Sequence, residues 1–212
     1  MLQDAKRILV YTDKPDSYRY CVLADMLNVD CCSCPDEFCC SMLKNNYSGQ
    51  ILDMRKMMNT PCCARNRILS FAATTPTLRA VVEFMEPVFL DNEDNFLCAC
   101  REKGCTGNAT ACLISVNIPI KISLEDDPAM VNPVTGTIHH IDELGCDFHS
   151  ETEIAGNSFL YLKIPCLRNS LPIYAGVCVE QCGCQHNCGH RVRFLYVKDD
   201  QIKEIQERFI KL

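Results

Sequence analysis

The feature that most constrains this chain is a change of hydrophobic period partway along it. Ile114, Val116, Ile118, Ile120 and Ile122 alternate without a break, with Ser115, Asn117, Lys121 and Ser123 between them. A period of two sends one set of side chains to a core and the other to solvent, which is the pattern of a half-buried β-strand. Short strand-like runs follow at residues 134–141, 146–149, 157–164, 171–181 and 190–197, separated by turn residues. Such a succession predicts an antiparallel barrel or sandwich. Asp199-Asp200 then opens a terminal helix whose Ile202, Ile205, Phe209 and Leu212 recur at helical spacing, an apolar stripe suited to plugging one barrel mouth.

Upstream, strands and helices alternate. The pattern predicts a strand over residues 7–12 and a helix through Tyr18, Val22, Leu23, Met26 and Leu27, capped by Asp16 or Ser17. A strand over 29–34, a helix starting at Pro35 and strands over 50–54 and 68–73 follow. This alternation predicts a small parallel sheet covered on both faces. The polar run Asp91-Asn92-Glu93-Asp94-Asn95 and the turn residues between Cys98 and Asn108 read as a join. The expected organisation is an α/β domain over residues 1–100 and an all-β domain with a C-terminal helix over residues 110–212.

The 212 residues carry 21 Lys+Arg against 27 Asp+Glu, a net charge of -6. Phosphate-backbone binding needs clustered cations, and the basic residues are scattered, so no nucleic-acid partner is expected. No run of about 18 apolar residues occurs, which argues against membrane insertion. Eighteen cysteines would suit a disulfide scaffold, but no export signal is visible. Moreover, the adjacent pairs Cys31-Cys32, Cys39-Cys40 and Cys62-Cys63 fit no familiar disulfide framework. The expectation is a cytoplasmic protein with reduced, mostly buried thiols.

The first half resembles a shortened response-regulator receiver. Asp13 and Asp16 fall near the end of the first strand, Asp53 ends the third, Thr74 or Thr75 takes the hydroxyl position, and Glu86-Pro87 stands where that family has Lys-Pro. The resemblance implies Asp53 as the phosphorylatable acid, whereas the residues alone read as a structural acid at a strand end.

The second half, in the run from Gly136 through His139-His140-Ile141-Asp142-Glu143-Leu144-Gly145 to Phe148, with later strands and a short helix, resembles a PilZ domain, the bacterial β-barrel family that binds cyclic di-GMP. Of the family's Asp/Asn-x-Ser-x-x-Gly motif, His140 takes the first slot, Asp142 the serine slot, and Gly145 is retained. The family's Arg-x-x-x-Arg run is absent. Arg101 and Lys103 are the nearest basic residues upstream. The resemblance implies a cyclic dinucleotide ligand read by His140, Asp142, Gly145, Arg101 and Lys103. It also implies a bacterial signalling adaptor without catalysis, in which ligand changes how the two halves meet and so alters a surface seen by a protein partner. The residues read alone allow a barrel kept as a ligand-free interaction scaffold.

A further constellation is the hairpin Cys182-Gly183-Cys184-Gln185-His186-Asn187-Cys188-Gly189-His190. Folding back would bring Cys182, Cys184, Cys188 and either His190 or His186 together as thiolate and imidazole ligands suited to zinc. Incidental loop thiols are the other reading. No serine, cysteine or carboxylate sits in a recognisable nucleophile or general-base context, so no enzymatic activity is expected.

Overall fold

The computed structural model describes residues 6–106, 114–151, 154, 158–178 and 189–210. The chain divides into two compact units, Met1–Ala109 and Thr110–Leu212.

The first unit is built on a five-stranded sheet of β1 (Arg7–Tyr11), β2 (Asn28–Cys32), β3 (Gly49–Asp53), β4 (Thr77–Glu83) and β5 (Glu86–Phe89), in the order β2-β1-β3-β4-β5. The first four strands are parallel and β5 turns back antiparallel on β4. Among the described residues five α-helices accompany it: α1 (Pro15–Arg19), α2 (Pro35–Lys44), α3 (Met54–Asn59), α4 (Cys62–Ser70) and α5 (Glu93–Thr106). Continuous burial along β1 explains its unbroken apolar sequence. Ile8 and Val10 join Tyr18, Leu23, Phe96 and Cys100 in one cluster. Tyr11 meets Phe38 edge-on at 5.6 Å, and Phe38 meets Phe71 at 6.3 Å. Each fully buried side chain of this size contributes about 1.5–3 kcal/mol.

Several sequence expectations are corrected here. Residues 68–73 are not a strand: they end α4 and form a 3-10 turn, Phe71–Ala73, because Ile68 and Phe71 lie three apart on one buried face while Leu69 is exposed. The fourth strand is β4, after Pro76. The helix expected through Leu27 stops at Arg19 and resumes as a 3-10 turn, Val22–Asp25, and Lys14, with no side-chain cap, precedes Pro15 at its start. The turn-rich join around Cys98 is helical. Asn92 Oδ1 accepts from Asn95 N at 2.9 Å, and Phe96, Leu97 and Cys100 bury α5 in the first unit's core. Glycine at position 49 permits this packing, since a Cβ there would lie 2.5 Å from Cys100 Sγ.

The second unit is a closed antiparallel barrel. Its strands are β6 (Ile114–Leu124), β7 (Val134–Ile141), β8 (Gly145–Ser150), β9 (Phe159–Lys163), β10 (Ile173–Cys178) and β11 (Gly189–Tyr196), in the order β10-β11-β8-β7-β6-β9. Closure removes the exposed edges an open sheet would carry. Ile118, Ile120 and Ile122 enter the interior with Ile138, Phe148, Leu160, Leu162 and Val192, as the alternation requires. Ser123, expected outside, is buried, and its hydroxyl donates to Asp127 Oδ2 at 2.7 Å. The terminal helix α6 (Asp199–Ile205), continued by a π-helical turn over Gln206–Ile210, adds Ile205 to this core, with Phe209 and Ile210 against it. Leu212 lies outside the described residues. Among the described residues no helix is long and apolar enough to cross a membrane.

Candidate functional site

The loop 142–144 joins β7 to β8, and its conformation follows from two residues. Asp142 Oδ1 accepts from Leu144 N at 2.7 Å and from Gly145 N at 2.8 Å, closing an Asx-type turn, while Asp142 N donates to Gly145 O at 3.0 Å. At position 145 the chain passes β11 so closely that a Cβ would lie 2.0 Å from Val192 O. Glycine is required there for space, not for its dihedral freedom.

Polar side chains converge beside this loop in a cross-strand row. His140 on β7 pairs with Asp147 on β8, and Asp147 pairs with Arg191 on β11. The flanking Cys146, Phe148 and Val192 point inward, so the alternation of the pleat puts the row on the outside of the barrel. Arg191 lies 3.5 Å from Asp147 Oδ1 and 3.6 Å from Asp142 Oδ2, and His140 Nδ1 lies 3.6 Å from Asp147 Oδ2. The two guanidinium contacts are loose ion pairs rather than short hydrogen bonds, and the His140 contact is a long polar one. Asp142 Oδ2 is buried and makes no hydrogen bond among the described residues, so the guanidinium is its electrostatic partner. Two residues further along β11, burial pulls the Arg193 guanidinium below its ordinary value, and burial pushes the Cys146 thiol well above its own. The row is an outward-facing, partly exposed polar patch with the Arg191 guanidinium between its two carboxylates.

Of the residues singled out in the sequence, His140, Asp142 and Gly145 are brought together at this loop. Arg101 and Lys103 stand on α5 in the first unit, not on an irregular strap leading to the barrel. Lys103 Nζ donates to Thr75 Oγ1 at 2.8 Å, and the Arg101 carbonyl accepts from Lys6 Nζ. Arg191 was missed as a site residue. Its strand alternation was legible, but its place beside the loop depends on β11 pairing with β8, a non-local fact.

Cys182, Cys184, Cys188 and His186 of the zinc reading lie outside the described residues. His190 is the second residue of β11, with its ring 5.4 Å from that of Phe148. Among the described residues no group of three or more His, Cys, Asp or Glu gathers as metal ligands.

In the first unit, Asp53 ends β3 and both its oxygens are engaged: Oδ1 accepts from Arg55 N at 3.0 Å and Oδ2 from Thr12 Oγ1 at 2.9 Å. It caps α3. Thr74 and Thr75 do not join it. Because Gln50 pairs with Thr77 and Asp53 with Ala80, both threonines precede β4 at the opposite end of the sheet. Glu86 and Pro87 lie in the antiparallel β5 instead of at a parallel strand end. Thr74, Thr75 and the Glu86-Pro87 pair are therefore not gathered around Asp53, whose hydroxyl partner is Thr12.

Comparison with family models and with curated proteins gives no match. Among solved structures, the crystal structure of the PilZ domain of CeSA from a cellulose-synthesizing bacterium is similar over 45% of this chain and 90% of that chain, at 15% identity and a TM-score of 0.32. A superposition this loose carries no argument of its own.

Proposed function

We propose that this protein is a non-enzymatic signalling adaptor of the PilZ type, whose barrel takes a cyclic dinucleotide of the cyclic di-GMP class and relays its presence to a protein partner. The observation that carries the reading is Arg191 standing beside the Asp142–Gly145 loop on the outer face of the barrel. A guanidinium offers a planar fork matched to phosphate oxygens and to a guanine edge, and β11 supplies one where the upstream sequence has no arginine pair. The same guanidinium is held between Asp142 and Asp147. Ligand must replace two carboxylates, so affinity is modest, in the range of tens of micromolar (roughly 6 kcal/mol). Isothermal titration of the full chain with cyclic di-GMP tests this. Saturable heat that is lost in Arg191→Ala is expected, and no heat with either protein removes ligand sensing.

A second reading, a constitutive protein-interaction scaffold, is favoured by one feature: Asp142 is committed to two backbone N–H groups and the Arg191 guanidinium already faces two carboxylates. Under that reading, pull-downs recover the same partners with and without dinucleotide.

A further inference from the structure

We propose a second ligand site on the barrel unit, a cleft of about 580 Å³ that takes a phosphorylated small molecule of nucleotide size. It is built between β6, β9 and the connections that follow them. Lys121 on β6 and Lys163 on β9 are directly opposed in antiparallel register, and both line the cleft with Arg168. Like charges side by side on neighbouring strands destabilise a sheet. Nothing in the fold offsets them: among the described residues no carboxylate pairs with any of the three cations, and no acid lines the cleft. In a chain with 27 acidic residues and a net charge of -6, three unpaired cations around one cavity mark a place kept for an external anion.

Three carboxylates on the bordering segments, Asp127, Asp200 and Glu204, fix the walls. Asp127 accepts from Ser123 Oγ, from Val131 N at 2.9 Å and from Asn132 N at 3.0 Å, which shapes the turn carrying Met130 at a φ of 53°. On the other side Gln201 Nε2 donates to the carbonyls of Asn169 and Leu171, Asp200 accepts from Asn169 Nδ2, and Glu204 accepts from Arg168 N while pairing with Arg208. Both walls are thus held in place before any ligand arrives, which lowers the ordering cost of binding.

The lining combines charge with apolar surface from Met130, Leu171 and Pro172. Two lysine point charges and a guanidinium fork suit a multiply charged phosphate group, and the apolar walls suit a ring attached to it. The volume falls within the roughly 300–1,000 Å³ of small-molecule sites. This cleft and the 142–144 loop lie at opposite ends of β7, because one borders the β6–β7 connection and the other is the β7–β8 connection. It is a site separate from the dinucleotide slot and stands or falls independently of it.

The test is calorimetric titration of the full chain with ATP and, separately, with tripolyphosphate, both in magnesium-free low-salt buffer. ATP is expected to bind with a Kd below about 100 μM, to weaken at least about tenfold in Lys121→Gln/Lys163→Gln, and to keep its affinity in Arg191→Ala. Tripolyphosphate is expected to bind at least about fivefold more weakly than ATP, since it leaves the apolar walls bare. The double variant relieves a like-charge pair, so its melting temperature is expected to equal or exceed that of the wild type. Absence of ATP saturation below about 1 mM, or unchanged ATP affinity in the double variant, overturns the site. Tripolyphosphate binding as tight as that of ATP overturns the nucleotide assignment, and a lower melting temperature in the double variant overturns the claim that the lysine pair is unoffset.

Discussion

Substituting Gly145 by alanine probes the close approach that shapes the candidate loop. The added Cβ would sit 2.0 Å from Val192 O and 3.3 Å from Arg193 Cα, both backbone atoms, so no side-chain rotation relieves it. Reaching an ordinary contact of 3.4 Å means parting β8 and β11 locally by about 1.4 Å. The bonds at risk are Phe194 N to Leu144 O at 2.7 Å and the turn bond Gly145 N to Asp142 Oδ1 at 2.8 Å. Leaving buried groups unpaired costs about 1–3 kcal/mol each, so with partial relaxation a loss of about 2–4 kcal/mol is expected. For a unit of about 100 residues this lowers the melting temperature by roughly 10–20 °C. Differential scanning calorimetry reads the shift, with the exposed Leu144→Ala as a control expected to change little. A Gly145→Ala protein melting within about 2 °C of the wild type would refute the reasoning.

Further expectations concern other parts of the chain. The β4–β5 turn places Phe84 and Met85 at φ of 48° and 71°, with Phe84 fully exposed, so the double change Phe84→Asn/Met85→Gly is expected to stabilise the first unit by about 1–2 kcal/mol, read as a shift of the urea midpoint. Burial pushes the Cys32 thiol up to about 12 and Cys31 and Cys100 to about 11, whereas Cys34, Cys62, Cys63, Cys98 and Cys166 are exposed. Brief iodoacetamide treatment at neutral pH, mapped by mass spectrometry, is expected to label the exposed set and spare Cys32 and Cys100. Hydrogen bonds from Val131 N and Asn132 N, then Ser123, hold the Asp127 carboxyl below its ordinary value. A lowered folded value gives a contribution that is complete above the unfolded pKa of about 3.9 and lost as pH falls through the folded one. The Val131 and Asn132 amides are therefore expected to stay protected from hydrogen exchange at neutral pH and to lose protection only as acid titrates the Asp127 carboxylate through its lowered value.

Local pattern revealed a good part of this architecture. The isoleucine alternation of β6 was visible because a half-buried strand shows its period, and residues 134–141 were read to their ends because Pro133 precedes them and the turn at Asp142 follows. Residues 68–73 misled, because a short apolar run fits a strand or a helix equally until Ile68 and Phe71 are seen to share one face. The β4–β5 hairpin was hidden, since its turn uses Phe84-Met85 where Asn-Gly would announce it. Helix α5 was obscured by polar and glycine residues around the short core stripe of Phe96, Leu97 and Cys100. At the candidate site, His140, Asp142 and Gly145 are close in sequence and could be read together. Arg191 meets the loop only through the pairing of β11 with β8, and Lys121 meets Lys163 only through the pairing of β6 with β9.

The central claim is that Arg191 reads a dinucleotide while two carboxylates compete for it, and paired calorimetric titrations of wild type and Asp147→Asn with cyclic di-GMP test it most directly. Removing one carboxylate 3.5 Å from the guanidinium frees about 1 kcal/mol of competing attraction. The account predicts saturable binding in both proteins, about fivefold tighter in the variant. Equal affinity in the two, or no binding in either, would contradict it.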